Sequence, residues 1–258
     1  MSKDIINGYV DVESHNGITS IEFFHPQSNS LPRRILEALA HEIHAAGTDK
    51  DTRVIVLRSG GDRTFCAGAS FDELTRIENE KAGFEFFSGF ANVINAIRKC
   101  GKLVIGRIQG KCVGGGVGLA AAVDYAIATE GADVKLSELA VGIGPFVVGP
   151  AVERKIGASA FSQLAIDASM WRNAEWGKRK GLFAEVHASA EGMDESISRL
   201  ANQLARSSPE AMRELKTVFW KGTENWDELL WARAEISGRL VLSSYTKEAI
   251  AKFKSKAQ

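Results

Sequence analysis

The amino-acid sequence predicts an α/β fold with a helical C-terminal part. Short apolar segments such as "VIVLRS" from Val54 and "LVIGRI" from Leu103 have the character of buried strands. Helical patterns separate them, and strands that alternate with helices form parallel sheets through right-handed crossovers. Beyond about Gly157 nearly every segment has helical periodicity instead. We therefore predict an α/β core over residues 1–195 and a helical C-terminal part over residues 196–258.

The N-terminal elements are a predicted hairpin and a predicted helix. Residues 9–13 and 18–24 alternate between apolar and polar side chains, and "SHNG" between them is a turn sequence. A helix follows, with Pro32 in its first turn and Gly47 at its end. Its apolar stripe consists of Ile35, Leu36, Leu39 and Ile43.

The remaining elements continue the alternation and then give way to helices. Further strands are predicted at residues 124–129, 134–136 and 184–187. Helices are predicted to begin near Phe71, Ala82, Asn173, Ser208, Asp227 and Lys247. Asn173 is a good N-cap residue, and Gly181 is a typical stop for the helix that Asn173 begins.

Composition and charge exclude several classes of function. Lys plus Arg and Asp plus Glu both number 32, so the chain lacks the basic surplus that a nucleic-acid partner requires. No apolar run reaches the roughly 18 residues of a membrane span, and "MSKDIINGYV" is not a signal peptide. The cysteines and histidines lack metal-ligand spacing. We expect a cytoplasmic protein with no metal site, no nucleic-acid partner and no membrane span.

Two small-residue loops are candidates for a binding site. "FCAGAS" (65–70) follows "VIVL", and "VGGGVG" (113–118) follows "LVIGRI". Ligands of open α/β sheets bind beyond the carboxyl ends of strands, where helix N-termini offer free N–H groups. One N–H from each loop could converge on one oxygen as an oxyanion hole. The alternative is that these glycines only form turns. No G-K-S/T sequence follows, and the glycine spacing is not that of a dinucleotide fold.

Glu138 is the candidate catalytic acid. It lies in "VKLSELAVGIGP", just after a short predicted strand and before an apolar loop. Apolar surroundings raise the pKa of a carboxyl group, which suits proton transfer near neutral pH. The alternative is a surface glutamate that caps a helix.

Five segments together resemble motifs of the crotonase, or enoyl-CoA hydratase/isomerase, superfamily. They are "NSL" at Asn29, "FCAGASFDEL", "IQGKCVGGGVGLAAAVDYAIAT", "SELAVGIGP" and "NAEWGKRKGLF". Each motif alone is weak, but the five occur in the family's order over roughly residues 8–256. The resemblance implies a crotonase-like spiral of ββα units. It also implies that the C-terminal helices hold the chain in a homotrimer or hexamer.

The resemblance further implies an acyl-CoA thioester as substrate, with coenzyme A entering as part of the substrate and no other cofactor. The backbone N–H groups of Ala69 and Gly115 correspond to the family's oxyanion hole, and Glu138 corresponds to its acid/base. The other residues expected to contact the substrate are Ala67, Gly68, Gly114, Gly118, Phe146 and, at the CoA phosphates, Lys252 or Lys254.

One departure from the family pattern concerns the reaction. Family hydratases have a second glutamate at the position of Gly118. Hydration needs a proton donor and a group that activates water, whereas moving a double bond needs a single base. One glutamate therefore favours a Δ3–Δ2-enoyl-CoA isomerase, while the motifs as a whole resemble hydratases of the methylglutaconyl-CoA kind. We predict an enoyl-CoA hydratase or isomerase, with the residue likeness favouring hydration of a 2-enoyl-CoA. Other reactions of the same enolate and a non-catalytic acyl-CoA-binding protein are the alternatives.

Overall fold

Nine strands form the sheets of the protein. The computed structural model describes residues 3–257, with side chains described as far as residue 252. Within these residues the strands are β1 (Tyr9–His15), β2 (Ile18–Phe24), β3 (Val54–Ser59), β4 (Thr64–Cys66), β5 (Leu103–Ile108), β6 (Lys111–Val113), β7 (Tyr125–Thr129), β8 (Val134–Lys135) and β9 (Glu185–His187).

Helices cover the sheets and make up most of the C-terminal third. Within the described part of the chain they are α1 (Arg33–Thr48), α2 (Phe71–Leu74), α3 (Glu80–Lys99), α4 (Gly115–Ala122), α5 (Gly149–Ile166), α6 (Ala174–Lys180), α7 (Ala190–Ala205), α8 (Pro209–Phe219), α9 (Trp226–Leu240) and α10 (Ser244–Ala257). A short 3₁₀ turn spans Leu139–Val141. None of these helices is long and apolar enough to cross a membrane.

The larger sheet has six strands in the order β1-β2-β3-β5-β7-β9. β1 and β2 pair antiparallel, and the other neighbours pair parallel. The hairpin turn places Asn16 and Gly17 at φ values of 51° and 80°, as a two-residue turn of the favoured hand requires. The predicted hairpin, the mainly parallel core and the α/β fold class are thus confirmed.

A second, smaller sheet was not predicted. β4, β6 and β8 form a parallel three-stranded sheet in that order. The predicted loops "FCAGAS" and "VGGGVG" each begin inside a short strand, since Phe65 and Cys66 belong to β4 and Val113 belongs to β6. The strand predicted at residues 134–136 is confirmed as β8, whereas β4 and β6 are too short to show periodicity.

The C-terminal helices share the core of the α/β part. Trp220, Leu230 and Ala234 belong to the same buried cluster as Ile21 of the larger sheet. α9 crosses α3 so closely that a β-carbon on Gly83 would lie 2.6 Å from the Gly238 carbonyl oxygen. The predicted boundary between residues 195 and 196 falls inside α7. These helices therefore complete the core, and the structure does not set them apart as a separate unit.

Candidate active site

The small sheet places three loops at one edge. β4 leads into Ala67–Ser70, β6 leads into Gly114 and the start of α4, and β8 leads into Ser137 and Glu138. Because the three strands are parallel neighbours, their carboxyl ends lie together. Ligands of open α/β sheets typically bind beyond the carboxyl ends of the strands, which is the position of these three loops.

Two backbone N–H groups at this edge have no acceptor. Leu31 forms a parallel bridge that uses the Gly68 carbonyl (2.7 Å) and the Ser70 N–H (3.3 Å), so the Ala69 N–H points away from Leu31. Gly115 is the first residue of α4, where an N–H has no partner within the helix. Neither N–H donates to any group in the described part of the chain.

Glycine at position 68 lets the two loops meet. A β-carbon there would lie 2.8 Å from the Val113 carbonyl oxygen and 3.2 Å from the Gly115 nitrogen. The φ of Gly68 is +84°, a value that favours glycine. The Ala69 and Gly115 donors thus come from two loops that are in van der Waals contact.

Glu138 lies against the same loops. A β-carbon on Gly114 would lie 2.9 Å from its Oε1, so the carboxyl group reaches the start of α4. The Glu138 carbonyl accepts hydrogen bonds from the N–H groups of Val141 (3.1 Å) and Ile143 (2.9 Å), which fix the backbone. Although the residue is only half-buried, its Oε2 is buried and has no hydrogen-bond partner. Burial raises the pKa of Glu138 to about 7.

An apolar cavity of about 70 Å³ adjoins the carboxyl group. Its walls include four phenylalanines, which are Phe71, Phe87, Phe90 and Phe146. Among its described lining residues only Ser137, Glu138 and Ser237 have polar side chains, and Glu138 alone is titratable. The Ser237 hydroxyl comes from α9 and donates to the Arg233 carbonyl at 3.3 Å. The cavity therefore pairs one acid/base group with a mostly apolar wall.

Gly118 lies outside this cavity, one turn into α4. A β-carbon there would overlap Val148 Cγ1 and would lie 2.6 Å from Val148 Cβ. Val148 itself belongs to the cavity wall. The space at the expected second acid is thus occupied by a valine side chain.

A wider cleft of about 1020 Å³ continues from the cavity towards the surface. The two share Ala67, Ala69, Phe71, Val113, Ser137 and Val141 in their walls. Lys135, Trp171 and Lys252 line the outer part, together with Glu248 of α10. A substrate with a small apolar end and a long polar end would suit this shape.

The profile of the enoyl-CoA hydratase/isomerase family matches residues 13–258. The chain belongs to this family. The match spans both sheets and the C-terminal helices, so family membership covers the whole site described above.

Curated relatives in the family act on different CoA thioesters. The chain is 29% identical over 208 residues to the (7aS)-7a-methyl-1,5-dioxo-2,3,5,6,7,7a-hexahydro-1H-indene-carboxyl-CoA hydrolase of Mycobacterium tuberculosis, covering 79% of this chain and 80% of that one. It is 30% identical over 207 residues to the carnitinyl-CoA dehydratase of Salmonella enteritidis, covering 80% and 78%. It is 31% identical to human mitochondrial methylglutaconyl-CoA hydratase, covering 76% of this chain but only 58% of that protein's length.

Solved structures in the family have the same fold. An enoyl-CoA hydratase from Bacillus halodurans superposes with a TM-score of 0.87 at 21% identity, covering 95% of this chain and 99% of that one. One from Mycobacterium avium gives 0.83 at 24% identity and covers 96% of each. These likenesses support the fold, and the crotonase resemblance is confirmed at the level of family and architecture.

Within this family member, most residues singled out from the sequence meet at one place. The cavity wall contains Ala67, Gly68, Ala69, Gly114, Gly115, Glu138 and Phe146. Lys252 lies in the wall of the outer cleft, in contrast to Gly118, which packs against Val148. The side chain of Lys254, the alternative to Lys252, lies outside the described residues. Val148 and Ser237 were not among the predicted site residues, because both reach the site through tertiary packing. The apolar segment "FVVG" after Pro145 is the sequence feature that could have indicated Val148 as a site residue.

Proposed function

We propose that this protein moves a proton at the carbon next to the thioester carbonyl of an acyl-CoA, with Glu138 as its acid/base. The observation that carries the proposal is the buried Oε2 of Glu138, which has no partner and lies beside two unpaired backbone donors. Buried polar atoms in proteins are normally hydrogen-bonded, so an oxygen that the described residues leave unpaired beside a cavity is available to a bound group. A pKa of about 7 supports both the proton-accepting and the proton-donating role near neutral pH.

The two backbone donors stabilise the charge that this step creates. When the Glu138 carboxylate takes a proton from the α-carbon, the electron pair moves to the thioester oxygen and forms an enolate. The N–H groups of Ala69 and Gly115 donate hydrogen bonds to that oxygen. Each such donor contributes about 2.7–4 kcal/mol to transition-state stabilisation in comparable sites.

Double-bond migration is the reaction that one carboxyl group can complete. Glu138 removes a proton from C2 of a 3-enoyl-CoA, the dienolate forms, and the same carboxyl group returns the proton to C4. The product is a 2-enoyl-CoA, and no water is consumed. Val148 supports this reaction because it occupies the space at Gly118 that a second, water-activating acid would need.

Hydration of a 2-enoyl-CoA is the second candidate. The likeness to a methylglutaconyl-CoA hydratase and a carnitinyl-CoA dehydratase favours it. Glu138 would then take a proton from water as the oxygen attacks C3, and would deliver a proton to C2. A single carboxyl group would perform both transfers.

The acyl group that fits the cavity is short. A cavity of about 150 Å³ holds benzene, and this one encloses about 70 Å³. We therefore expect short acyl chains to react better than long ones. Assembly as a homotrimer or hexamer stays a prediction, which light scattering of the purified protein would test.

The discriminating experiment is an incubation of the protein with 3-hexenoyl-CoA and, separately, with crotonyl-CoA. NMR of the products distinguishes a 2-enoyl-CoA from a 3-hydroxyacyl-CoA. The proposal expects faster migration in the first sample than hydration in the second. Hydration alone would favour the second candidate. If the protein binds both thioesters and converts neither, it is a non-catalytic acyl-CoA-binding member of the family.

A further inference from the structure

Ser237 brings a hydroxyl group from α9 into the wall of the active-site cavity. It lines this cavity and not the outer cleft, in common with Phe87 and Phe90 of α3. The residue is 1% exposed, so bulk water does not compete for its hydroxyl group. The acyl end of a thioester bound in the cavity would therefore meet Ser237, and the coenzyme A end would not.

The crossing of α3 and α9 fixes the position of Ser237. A β-carbon on Gly238 would lie 2.6 Å from the Phe84 nitrogen, and one on Gly83 would lie 2.6 Å from the Gly238 carbonyl oxygen. The two helix backbones are therefore in direct contact at this point. Phe87 lies one turn beyond Gly83 on the same face of α3. The close crossing thus holds the serine beside the phenylalanines of the cavity wall.

The Ser237 hydroxyl retains its capacity to accept a hydrogen bond. It donates to the Arg233 carbonyl oxygen one turn earlier in α9, at 3.3 Å. Within the described residues no group donates to Ser237 Oγ. A hydroxyl group has one hydrogen to donate and two lone pairs that accept, so Oγ is available to a donor on a bound acyl group. The structural alternative is a serine that only bonds back to its own helix.

The rest of the cavity wall disfavours a charged acyl end. Glu138 is the one titratable side chain among the described lining residues, and no lysine, arginine or histidine accompanies it. A carboxylate at the acyl end would enter an apolar space without a counter-charge, which costs free energy. It would also share a small cavity with the Glu138 carboxyl group, and two carboxylates in one site repel each other. A hydroxyl group at the acyl end has neither penalty.

We propose that Ser237 is a specificity-determining residue that accepts a hydrogen bond from a hydroxyl group at the far end of a short acyl chain. The inference rests on the proposed function, which places the acyl end in this cavity. A hydroxyl group is small and uncharged and can donate to Oγ, and the cavity encloses only about 70 Å³. The substrate class is therefore a short hydroxyacyl-CoA and not an acyl-CoA that ends in a carboxylate.

The test compares thioesters that differ only at the acyl end. Exchange of the α-protons in D₂O, followed by NMR, gives a rate for each thioester without a double bond to hydrate or move. The thioesters are butyryl-CoA and pentanoyl-CoA, their 4-hydroxy and 5-hydroxy derivatives respectively, and glutaryl-CoA. The variant is Ser237→Ala. The control is Ser162→Ala, which removes a hydroxyl that donates to the Ser159 carbonyl at an exposed position of α5.

In the unchanged protein we expect the hydroxyacyl-CoA of the better-fitting length to exchange about three- to tenfold faster than its unsubstituted partner, which is the effect of one net hydrogen bond. Ser237→Ala should abolish this preference, whereas Ser162→Ala should keep it. Glutaryl-CoA should exchange at least about a hundredfold more slowly than pentanoyl-CoA.

A purely structural serine gives a different result, because Ser237→Ala would then change the exchange of every thioester by the same factor. That outcome would overturn the inference, as would glutaryl-CoA that exchanges as fast as pentanoyl-CoA. In both cases the proposed function stands, since the unsubstituted thioesters still exchange. If the unchanged protein exchanges none of the thioesters, the proposed function fails and the inference fails with it.

Discussion

Asp124 and Glu138 are both carboxylates inside the protein, and their surroundings differ completely. Asp124 Oδ2 accepts hydrogen bonds from Lys216 Nζ (2.6 Å) and the Val104 N–H (2.8 Å), and Oδ1 accepts one from Trp220 Nε1 (3.0 Å). The side chains of Asp124 and Lys216 are 5% and 4% exposed. Glu138 Oε2 is equally hidden and has no partner. Asp124 therefore joins β5 to α8, whereas Glu138 is left available for a substrate.

This difference separates Asp124, which stabilises the fold, from Glu138, the proposed acid/base. The sequence singled out Glu138 by its neighbours in the chain, but Asp124 also follows an apolar helix and precedes a strand. Only the partners distinguish them, because the protein itself donates hydrogen bonds to both oxygens of Asp124 and, within the described residues, donates none to Oε2 of Glu138. Three substitutions and one change of pH test this difference between Asp124 and Glu138.

The largest expected effect is on activity. Glu138→Gln keeps the shape of the side chain and removes the group that exchanges a proton, so kcat/KM should fall about 10²–10⁴-fold. Steady-state kinetics on the better of the two substrate classes measures this. Glu153→Gln, at an exposed position of α5, is the matched control and should retain activity. Retention of full activity by Glu138→Gln would remove Glu138 from the mechanism.

Asp124→Ala should instead lower stability. The substitution leaves the Lys216 ammonium buried without its counter-charge, and loss of one partner of such a pair typically lowers the free energy of unfolding by about 3–5 kcal/mol. Urea denaturation followed by circular dichroism measures the change. A loss below about 1 kcal/mol would mean that Asp124 is no more structural than Glu138.

The free energy of unfolding should depend on pH through the protonation of Glu138. Its pKa rises from 4.5 in the unfolded chain to about 7 in the folded protein, so the folded state binds more protons between these values. Stability should therefore fall as pH rises from about 4.5 to about 7, by up to about 3 kcal/mol at 1.36 kcal/mol per pH unit. Urea denaturation of the protein and of Glu138→Gln across this range isolates the contribution. A constant difference between the two would show that Glu138 has an ordinary pKa.

The smallest expected effect concerns the contact between Gly118 and Val148. Gly118→Ala should destabilise the protein by about 1–3 kcal/mol, because its methyl group would overlap the Val148 side chain. In a Val148→Gly background the same substitution should cost less, because the Val148 atoms that the methyl group would overlap are then absent. Gly101→Ala is the control, since the nearest atom to a β-carbon there, at 3.8 Å, is the Gly47 carbonyl oxygen. Thermal melts compare the stabilities of the variants. If Gly118→Ala were as stable as the unchanged protein, the space at this position would be open to an acid side chain.

The sequence was sufficient for most of the fold because long strands and amphipathic helices leave periodic patterns. β5 begins and ends where its apolar run does, and the predicted N-cap Asn173 accepts a hydrogen bond from the Trp176 N–H. In the small sheet that assembles the site, β8 was predicted as a strand, but β4, β6 and the pairing of the three strands were not. Its strands are at most three residues long, and their pairing is long-range.

The site residues that lie on loops with a local sequence signal were predicted. The residues that reach the site through tertiary packing were not. Glu138, Ala69 and Gly115 stood out through glycines and an isolated acid. Val148 and Ser237 approach the site from distant parts of the chain, so their roles depend on contacts that only the folded structure defines.

The most direct test of the central claim is exchange of the α-protons of butyryl-CoA with solvent in D₂O, followed by NMR. Butyryl-CoA has no double bond to hydrate or move, so the experiment isolates enolate formation. The account predicts that the protein introduces deuterium at the α-carbon and that Glu138→Gln introduces it at least about 10²-fold more slowly. Exchange by Glu138→Gln at the rate of the unchanged protein would contradict the account.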